Sequence, residues 1–257
     1  MRDRRESVQS VSRAVAVLRH FSPEQPSVSL ADLCQATGLP KSIVFRLVRT
    51  LVNEGLLEED TTRGHYRIGL GAFKLGSLYT NGNPLLTLSA PYLNDLVARN
   101  RHNAYLGALD GVHVVYLASV ESDGPLRVHP PLGSRLPAHT AAFGKVLLAE
   151  LPEPELRARI ARAGLRRLTP HTIVEGDALV EHLRQVRTQG YALNDQEAFL
   201  GIGAIGAPLY DRAGVAIASI SLSYAVSLVK GEDMLVLIAQ TLSTARAITE
   251  KLHRGGV

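Results

Sequence analysis

Five side chains between residues 41 and 49 have the types and the spacing needed to bind nucleic acid. They are Lys41, Ser42, Phe45, Arg46 and Arg49, and in a helix they would share one exposed face. A guanidinium group can bond a guanine edge twice, cations hold phosphates, and an aromatic ring can contact a thymine methyl group. Arg46 is expected to contact a base edge, and Lys41 and Arg49 mainly phosphates. The alternative is a solvated basic face with Phe45 packed on a neighbouring segment.

Residues 29–53 supply the elements that would position this face. Ser29 and Asp32 have the spacing of a capping box that opens a first helix, and Ser29 is also counted among the predicted DNA contacts. Gly38 can end that helix in a left-handed conformation, and Pro40 suits the start of a second one. One buried stripe is predicted from Leu30, Leu33, Cys34, Leu39, Val44, Leu47, Val48 and Leu51. The pattern predicts a helix-turn-helix whose second helix reads DNA.

The flanking segments complete a winged helix. Residues 10–21 predict a preceding helix, and residues 56–58 and 65–68 predict two short strands around a turn. Arg63 at the tip of this wing could enter a minor groove or hold a phosphate, or could simply be solvated. Three arginines in residues 1–9 form either an arm that touches phosphate or a solvated tail.

Composition limits the classes of protein to which the chain can belong. Its 257 residues give room for two domains, and the net charge is only +4. Residues 1–80 hold 11 Lys and Arg against 8 Asp and Glu, so most of the basic excess lies with the helix-turn-helix. One cysteine allows no intramolecular disulfide and favours a reducing compartment. No membrane span or signal peptide is predicted, and a cytoplasmic location is expected.

The rest of the sequence predicts an α+β domain after a breaker at residues 81–84. Helices are predicted at 70–79, 85–101, 139–151, 152–163, 177–189 and 232–253, and strands at 104–109, 112–119, 126–129, 191–194, 203–210 and 215–224. The predicted organisation is a DNA-binding domain at 1–70, a linker helix and breaker at 71–84, and an antiparallel sheet with packed helices at 85–257.

Several stretches resemble the IclR-type bacterial transcriptional regulators. They include SVSRAVAVLRHF and LPKSIVFRLVRTLVNEGLL in the first domain, and PPLGSRLPAHTAAFGKVLLA and GYALNDQEAFLGIGAIGAPLYD in the second. The most characteristic pattern is GxxLPxHxxxxGK, from Gly133 to Lys145. The resemblance implies a winged helix-turn-helix, a linker helix and a GAF-like domain that binds a small effector. It also implies assembly as a homodimer or as a dimer of dimers (a homotetramer).

The same resemblance implies which residues line the effector pocket. The matching positions are Leu136, Ala142, Phe143, Asn194, Ala204, Ser221 and Ser223. Phe143 replaces a small residue and Ala204 stands where some members carry cysteine, which favours an aromatic or otherwise bulkier ligand. From the residues alone, the alternating Ser219, Ser221 and Ser223 would be a wet strand face. His129, Arg127 and Arg135 are further candidates for contacting a carboxylate, or are surface residues.

Competing functions find little support in the residues. Residues 201–206, GIGAIG, spell GxGxxG, but a strand-like segment follows where a dinucleotide site needs a helix. No hydrolase, zinc-protease or P-loop motif occurs, so no enzyme activity, cofactor or metal is predicted; a zinc site with His139 and His171 is the weak alternative. Another alternative is a constitutive DNA-binding protein whose second domain only oligomerises. The expected function is a regulator, either repressor or activator, of a pseudo-palindromic operator, controlled by a small organic or aromatic acid.

Overall fold

The computed structural model describes residues 8–60, 62–124, 126 and 128–255. The chain divides into two compact units, Met1–Asn83 and Pro84–Val257. The division falls at the breaker that the sequence places at residues 81–84. The boundary at residue 70 and the linker function of residues 71–84 stay predictions.

The first unit is a small helical domain with a three-stranded sheet. Its elements are α1 (Gln9–Leu18), β1 (Ser27–Ser29), α2 (Leu30–Thr37), α3 (Lys41–Asn53), β2 (Leu57–Asp60), β3 (His65–Ile68) and α4 (Leu70–Asn81). The strands pair antiparallel in the order β1-β3-β2. Strand β1 was absent from the prediction because three residues with one buried side chain, Val28, give almost no periodic signal.

The helix-turn-helix forms for the local reasons that the sequence indicates. Ser29 and Asp32 make both bonds of the capping box, with the Asp32 amide donating to Ser29 Oγ at 3.2 Å and the Ser29 amide donating to Asp32 Oδ2 at 2.9 Å. Gly38 ends α2 at a φ of 65°. The core contains every member of the predicted apolar stripe, either buried or partly buried. This packing leaves the opposite side of α3 exposed.

The second unit is an antiparallel six-stranded sheet with helices. Its elements are α5 (Pro84–Asn100), β4 (Asn103–Asp110), β5 (His113–Val120), β6 (Arg135–Pro137), a 3-10 turn (Ala138–Thr140), α6 (Ala142–Ala149), α7 (Glu153–Ala163), α8 (Gly176–Gln189), β7 (Ala192–Asp195), β8 (Ile202–Tyr210), β9 (Ala216–Ala225) and α9 (Glu232–Gly255). The strand order is β6-β5-β4-β9-β8-β7. The α+β class is therefore confirmed.

The sheet is covered on both faces, and β9 shows why. Ala218, Ile220 and Leu222 belong to a core shared with α5 and α9. Alternate residues point to the other face, where Ser219 Oγ donates a 2.6 Å hydrogen bond to the Phe143 carbonyl of α6. The serine row therefore lies under a helix, which rules out a wet strand face.

One predicted element in the second unit is wrong, and one predicted helix begins later than expected. Leu126, Val128 and His129 form no strand. The carbonyls of Leu126 and Val128 instead accept hydrogen bonds from the side-chain amide of Asn103, at 3.2 Å and 3.4 Å. The strand is β6 instead. The helix predicted from residue 139 begins at Ala142, since Ala141 is extended, with φ −121° and ψ 135°. Because of this break, α6 begins at Ala142, at its sheet-facing end, and no side chain caps its first N–H groups.

Candidate DNA-reading surface and ligand cavity

The predicted reading face lies on the outer side of α3. Val44, Val48 and Leu51 anchor the helix in the core, while Phe45 on the opposite side is 48% exposed. Lys41, Ser42, Arg46 and Arg49 are exposed with it. The side chains of Lys41 and Arg46 make no ion pair with any described residue. They are available to a phosphate or a base without breaking an internal contact.

The other predicted DNA contacts have partners or lie at the wing. Arg49 Nη1 is 3.4 Å from the Glu59 carboxylate of β2, so binding a phosphate would compete with this pair. The Ser29 hydroxyl is engaged in the capping box. Arg63 is exposed at the wing tip, after a turn in which Asp60 accepts a bond from the Thr62 amide. The arginines of the N-terminal arm lie outside the described residues.

The seven residues predicted to line an effector pocket surround one small cavity between the sheet and α6. Leu136, Ala142, Phe143, Asn194, Ala204, Ser221 and Ser223 all line it. Seven others that the sequence did not single out complete the wall: Tyr105, Tyr116, Val128, Ala141, Ala198, Phe199 and Ile202. The cavity measures about 30 Å³. None of these side chains is charged.

Strand register explains why residues so far apart in sequence meet at this cavity. Asn194 pairs with Ala204, Ala204 with Ser223, and Ser223 with Asn103, so these four lie side by side across the sheet. The neighbouring row on the same face includes Ser221, next to Tyr105. Once the register is known, the alternation of side chains along β4 places Tyr105 in the cavity wall. The sequence alone does not supply that register.

The cavity offers polar groups that have no partner in the protein. The residues Ser221 and Ser223 are 1% and 8% exposed, and their hydroxyls make no hydrogen bond with any described residue. The N-terminus of α6 at Ala142 and Phe143 has no side-chain cap. Asn194 differs from the expectation, because it donates to the Thr140 carbonyl at 2.9 Å and accepts from the Glu197 amide at 2.8 Å. Its side chain mainly holds the wall in place.

Phe143 occupies space that a ligand would need. Its side chain is almost fully buried at 3% exposure, and its ring centroid lies 5.0 Å from that of Tyr116. Phe143 stands where the regulators that the sequence resembles carry a small residue, and this difference predicts a bulkier ligand. The ring forms part of the cavity wall, and the size of the ligand stays a prediction.

Of the three additional cationic candidates, the two that the structure describes do not line the cavity. His129 Nδ1 is 2.5 Å from the Glu121 carboxylate, and Arg135 is exposed on β6. Neither of them lines the cavity, and Arg127 lies outside the described residues. Among the described residues, neutral donors and backbone dipoles are the groups that could bind a negatively charged ligand there.

A buried ion pair that the sequence did not predict lies next to the cavity wall. Lys145 of α6 is fully buried, and its Nζ bonds the Glu197 carboxylate, the Leu193 carbonyl at 3.1 Å and His182 Nε2 at 3.3 Å. Burial lowers the pKa of Lys145 and raises that of Glu197, and each charge opposes the shift of the other. Burial and the nearby Lys145 lower the pKa of His182 to about 4, so its ring is neutral and can accept.

The GIGAIG stretch is explained by packing. A Cβ at Gly203 would lie 2.5 Å from the Tyr224 ring, and one at Gly206 would lie 2.4 Å from the Ala142 backbone at the start of α6. Both glycines lie in β8, so no helix opens there to bind a dinucleotide. In the described part of the chain no three His, Cys, Asp or Glu residues cluster as metal ligands. Nor is any described helix long and apolar enough to cross a membrane.

Two family models match the chain and divide it as the fold does. The IclR helix-turn-helix domain matches residues 10–61, and the C-terminal domain of the bacterial transcriptional regulator IclR matches residues 77–250. The chain is also similar to the HTH-type transcriptional repressor AllR of Salmonella paratyphi A. The two are 34% identical over 218 residues, which cover 85% of this chain and 80% of the repressor.

Solved structures show the same fold over nearly the whole length. An IclR transcriptional regulator from Alicyclobacillus acidocaldarius is 25% identical with a TM-score of 0.83, covering 96% of this chain and 99% of that one. An IclR homolog from Microbacterium hydrocarbonoxydans, solved in complex with 4-hydroxybenzoate, is 24% identical with a TM-score of 0.77, covering 95% and 99%. The repressor and the regulator are both named for transcriptional control, not for catalysis.

Proposed function

Because this chain belongs to the IclR family of bacterial transcriptional regulators, we propose that a small carboxylate bound beneath α6 controls its binding to operator DNA. DNA binding and transcriptional regulation belong to the family. The effector assignment rests on one observation: two serine hydroxyls without a hydrogen-bond partner among the described residues and an uncapped helix N-terminus meet at a single cavity. A ligand that accepts hydrogen bonds from these hydroxyls and from the first N–H groups of α6 would gain affinity from them.

The geometry suits a carboxylate bound without a counter-charge. The amides of Ala142 and Phe143 open α6, and the first N–H groups of a helix carry a partial positive charge. Ser221 and Ser223 stand two residues apart on one face of β9, so their hydroxyls can bond two positions about 7 Å apart. Carboxylate oxygens accept hydrogen bonds from both kinds of donor.

Replacing Ser221 with valine tests this site. The larger apolar side chain should fill the cavity and leave one polar group of the ligand unpaired, at a cost of about 1–3 kcal/mol in effector affinity. The effector is first identified by a thermal-shift screen of small organic acids. Operator binding is then titrated with and without the active acid, for wild type and Ser221→Val. Operator affinity without effector should not change, because α3 is untouched.

Ser227→Val is the matched control, since Ser227 is exposed and lies outside the cavity. This control should respond to effector as wild type does. A Ser221→Val variant that responds at the wild-type concentration would contradict the pocket assignment. The competing hypothesis, a second unit that only oligomerises, predicts that no acid in the screen shifts stability or operator affinity.

Within the reading face, Arg46 is proposed to contact a base edge and Lys41 a phosphate. Arg46→Ala should cost about 1–3 kcal/mol of operator binding and relax the preference at one base position. Lys41→Ala should weaken binding to all sequences alike and reduce the salt slope by about one unit. Fluorescence anisotropy against operators with single base changes, at several salt concentrations, separates the two effects.

Arg184→Ala provides the control for loss of charge alone. Arg184 is an exposed arginine of α8 in the second unit, paired with Glu153 and Glu181. Its removal should leave operator selectivity unchanged. The assignment of Arg46 is wrong if Arg46→Ala binds the operator normally at moderate salt.

The assembly is proposed to be a homodimer, alone or as half of a tetramer, on a pseudo-palindromic operator. Two-fold symmetry would present two copies of α3 to two half-sites. Helix α4 is the proposed contact, because none of its residues is buried although five of them are large and apolar. Cytoplasmic location is part of this proposal, since the operator DNA is there.

A further inference from the structure

The cavity beneath α6 is much smaller than its lining suggests. Its volume is about 30 Å³. A cavity that admits benzene has a volume of about 150 Å³. The wall contains three aromatic side chains besides Phe143.

The ring of Phe143 lines the cavity and lies directly over Gly107 of β4. A Cβ at Gly107 of β4 would lie 2.4 Å from Phe143 Cε2 and 3.0 Å from Val114, so only glycine leaves room for the ring. Tyr116 packs on the ring at a centroid distance of 5.0 Å. The bond from Ser219 Oγ to the Phe143 carbonyl fixes the backbone that carries it.

We propose that Phe143 is a size filter, which restricts the cavity to short-chain carboxylates and excludes acids that carry an aromatic ring. The proposal rests on the proposed function, because it assumes that the cavity is the effector site. The sequence favours an aromatic or otherwise bulkier acid, whereas this proposal predicts a short-chain one. A carboxylate bonded by the start of α6 would lie in the same small cavity as the ring of Phe143, which forms part of its wall.

Rotation of the ring is the competing way to admit a larger ligand. Such a rotation would forfeit the contact with Tyr116 and leave the space beside Gly107 empty. Side chains in a close-packed core lose dispersion energy when a void opens next to them. A ring acid would have to compensate for this loss, whereas a short-chain acid would not.

The experiment measures binding of three probes to the full-length protein by calorimetry: propionate, benzoate and benzene. Phe143→Ala should bind benzoate at least tenfold more tightly than wild type, and its propionate affinity should change less than threefold. Benzene should bind Phe143→Ala and not wild type. Phe143→Leu, which keeps most of the core volume, should show a smaller gain for benzoate in the same direction.

Leu147→Ala is the matched control for a loosened core. Leu147 is buried on the same helix in the same cluster but does not line the cavity, so this variant should gain no affinity for benzoate. Wild type that binds benzoate as tightly as Phe143→Ala would overturn the filter. So would a folded Phe143→Ala that binds neither ring probe. Binding of benzene without benzoate would support the filter and instead contradict the carboxylate site of the proposed function.

Discussion

Replacing Lys145 with methionine should lower the free energy of unfolding of the second unit by about 3–5 kcal/mol, because it leaves Glu197 buried without its counter-charge. Glu197 is 6% exposed and its Oε2 already has no hydrogen-bond partner. Methionine is similar in length to lysine, so the change in the free energy of unfolding comes mainly from the lost charge and less from lost volume. Denaturant unfolding of the full-length protein, followed by circular dichroism, measures the difference.

The pH dependence of that difference identifies its cause. Burial raises the pKa of Glu197, so in Lys145→Met the folded protein favours the neutral acid. The folded state then binds a proton that the unfolded chain releases near its ordinary pKa, and stability falls as pH rises above that value. The deficit of the variant should therefore be smaller at pH 5 than at pH 8.

Two further variants complete this test. Arg184→Met removes a charge from an exposed pair, whose arginine side chain is 56% exposed, and should cost less than about 1 kcal/mol. The double variant Lys145→Met, Glu197→Gln removes both charges and should recover part of the lost stability. A Lys145→Met protein that unfolds within 1 kcal/mol of wild type would show that the pair does not stabilise the fold.

The same ion pair fixes one wall of the cavity. Glu197 lies in the segment between β7 and β8, and Thr169 and Thr172 hold that segment by bonds of 2.7 Å to the carbonyls of Gln196 and Glu197. Ala198 and Phe199 come next and line the cavity. Lys145→Met should therefore weaken effector binding as well as stability, whereas the exposed-pair control should not.

The helix-turn-helix was predictable because the rules that form it are local. The capping box joins Ser29 and Asp32, which are three positions apart, and Gly38 needs only its own left-handed φ. The apolar stripe repeats at intervals of three or four residues. Even Arg63 could be placed at the turn of the wing from the sequence. Each of these features depends on neighbours that the sequence shows side by side.

The cavity was predictable only in part, because its remaining features depend on residues far apart. Lys145 meets Glu197 across 52 positions, and no local pattern marks either as a partner of the other. Family resemblance gave the seven lining positions. The effect of Phe143 required the coordinates, since only the slot at Gly107 shows that the ring points into the cavity space.

Helix α4 shows a different limit of local prediction. Its apolar residues were readable as helical, but in a globular domain an apolar helix should be buried. Instead Leu70, Phe73, Leu75, Leu78 and Tyr79 are 54–70% exposed, and only Lys74 adds a charge to this helix. Exposed apolar surface of this kind marks an interaction site. The two-fold operator proposed above would require a second copy of this chain as the occupant.

Leu78→Glu should therefore dissociate the proposed dimer, because it places two like charges in an apolar contact. The monomer can engage one half-site only, and losing the second intramolecular contact should weaken full-operator binding by about a hundredfold or more. Affinity for an isolated half-site should stay near the wild-type value. Sedimentation measures the assembly, and titrations with full-site and half-site DNA measure the two affinities.

The control is Leu235→Glu, which makes the same change at a leucine of α9 that is 68% exposed, against 70% for Leu78. If α4 forms the contact between the two copies that bind one operator, Leu235→Glu should remain a dimer and bind the full operator normally. The opposite pattern, dissociation by Leu235→Glu and not by Leu78→Glu, would place that contact on α9. A Leu78→Glu protein that stays dimeric and binds the full site as wild type does would exclude α4, because a buried glutamate pair could not be tolerated there.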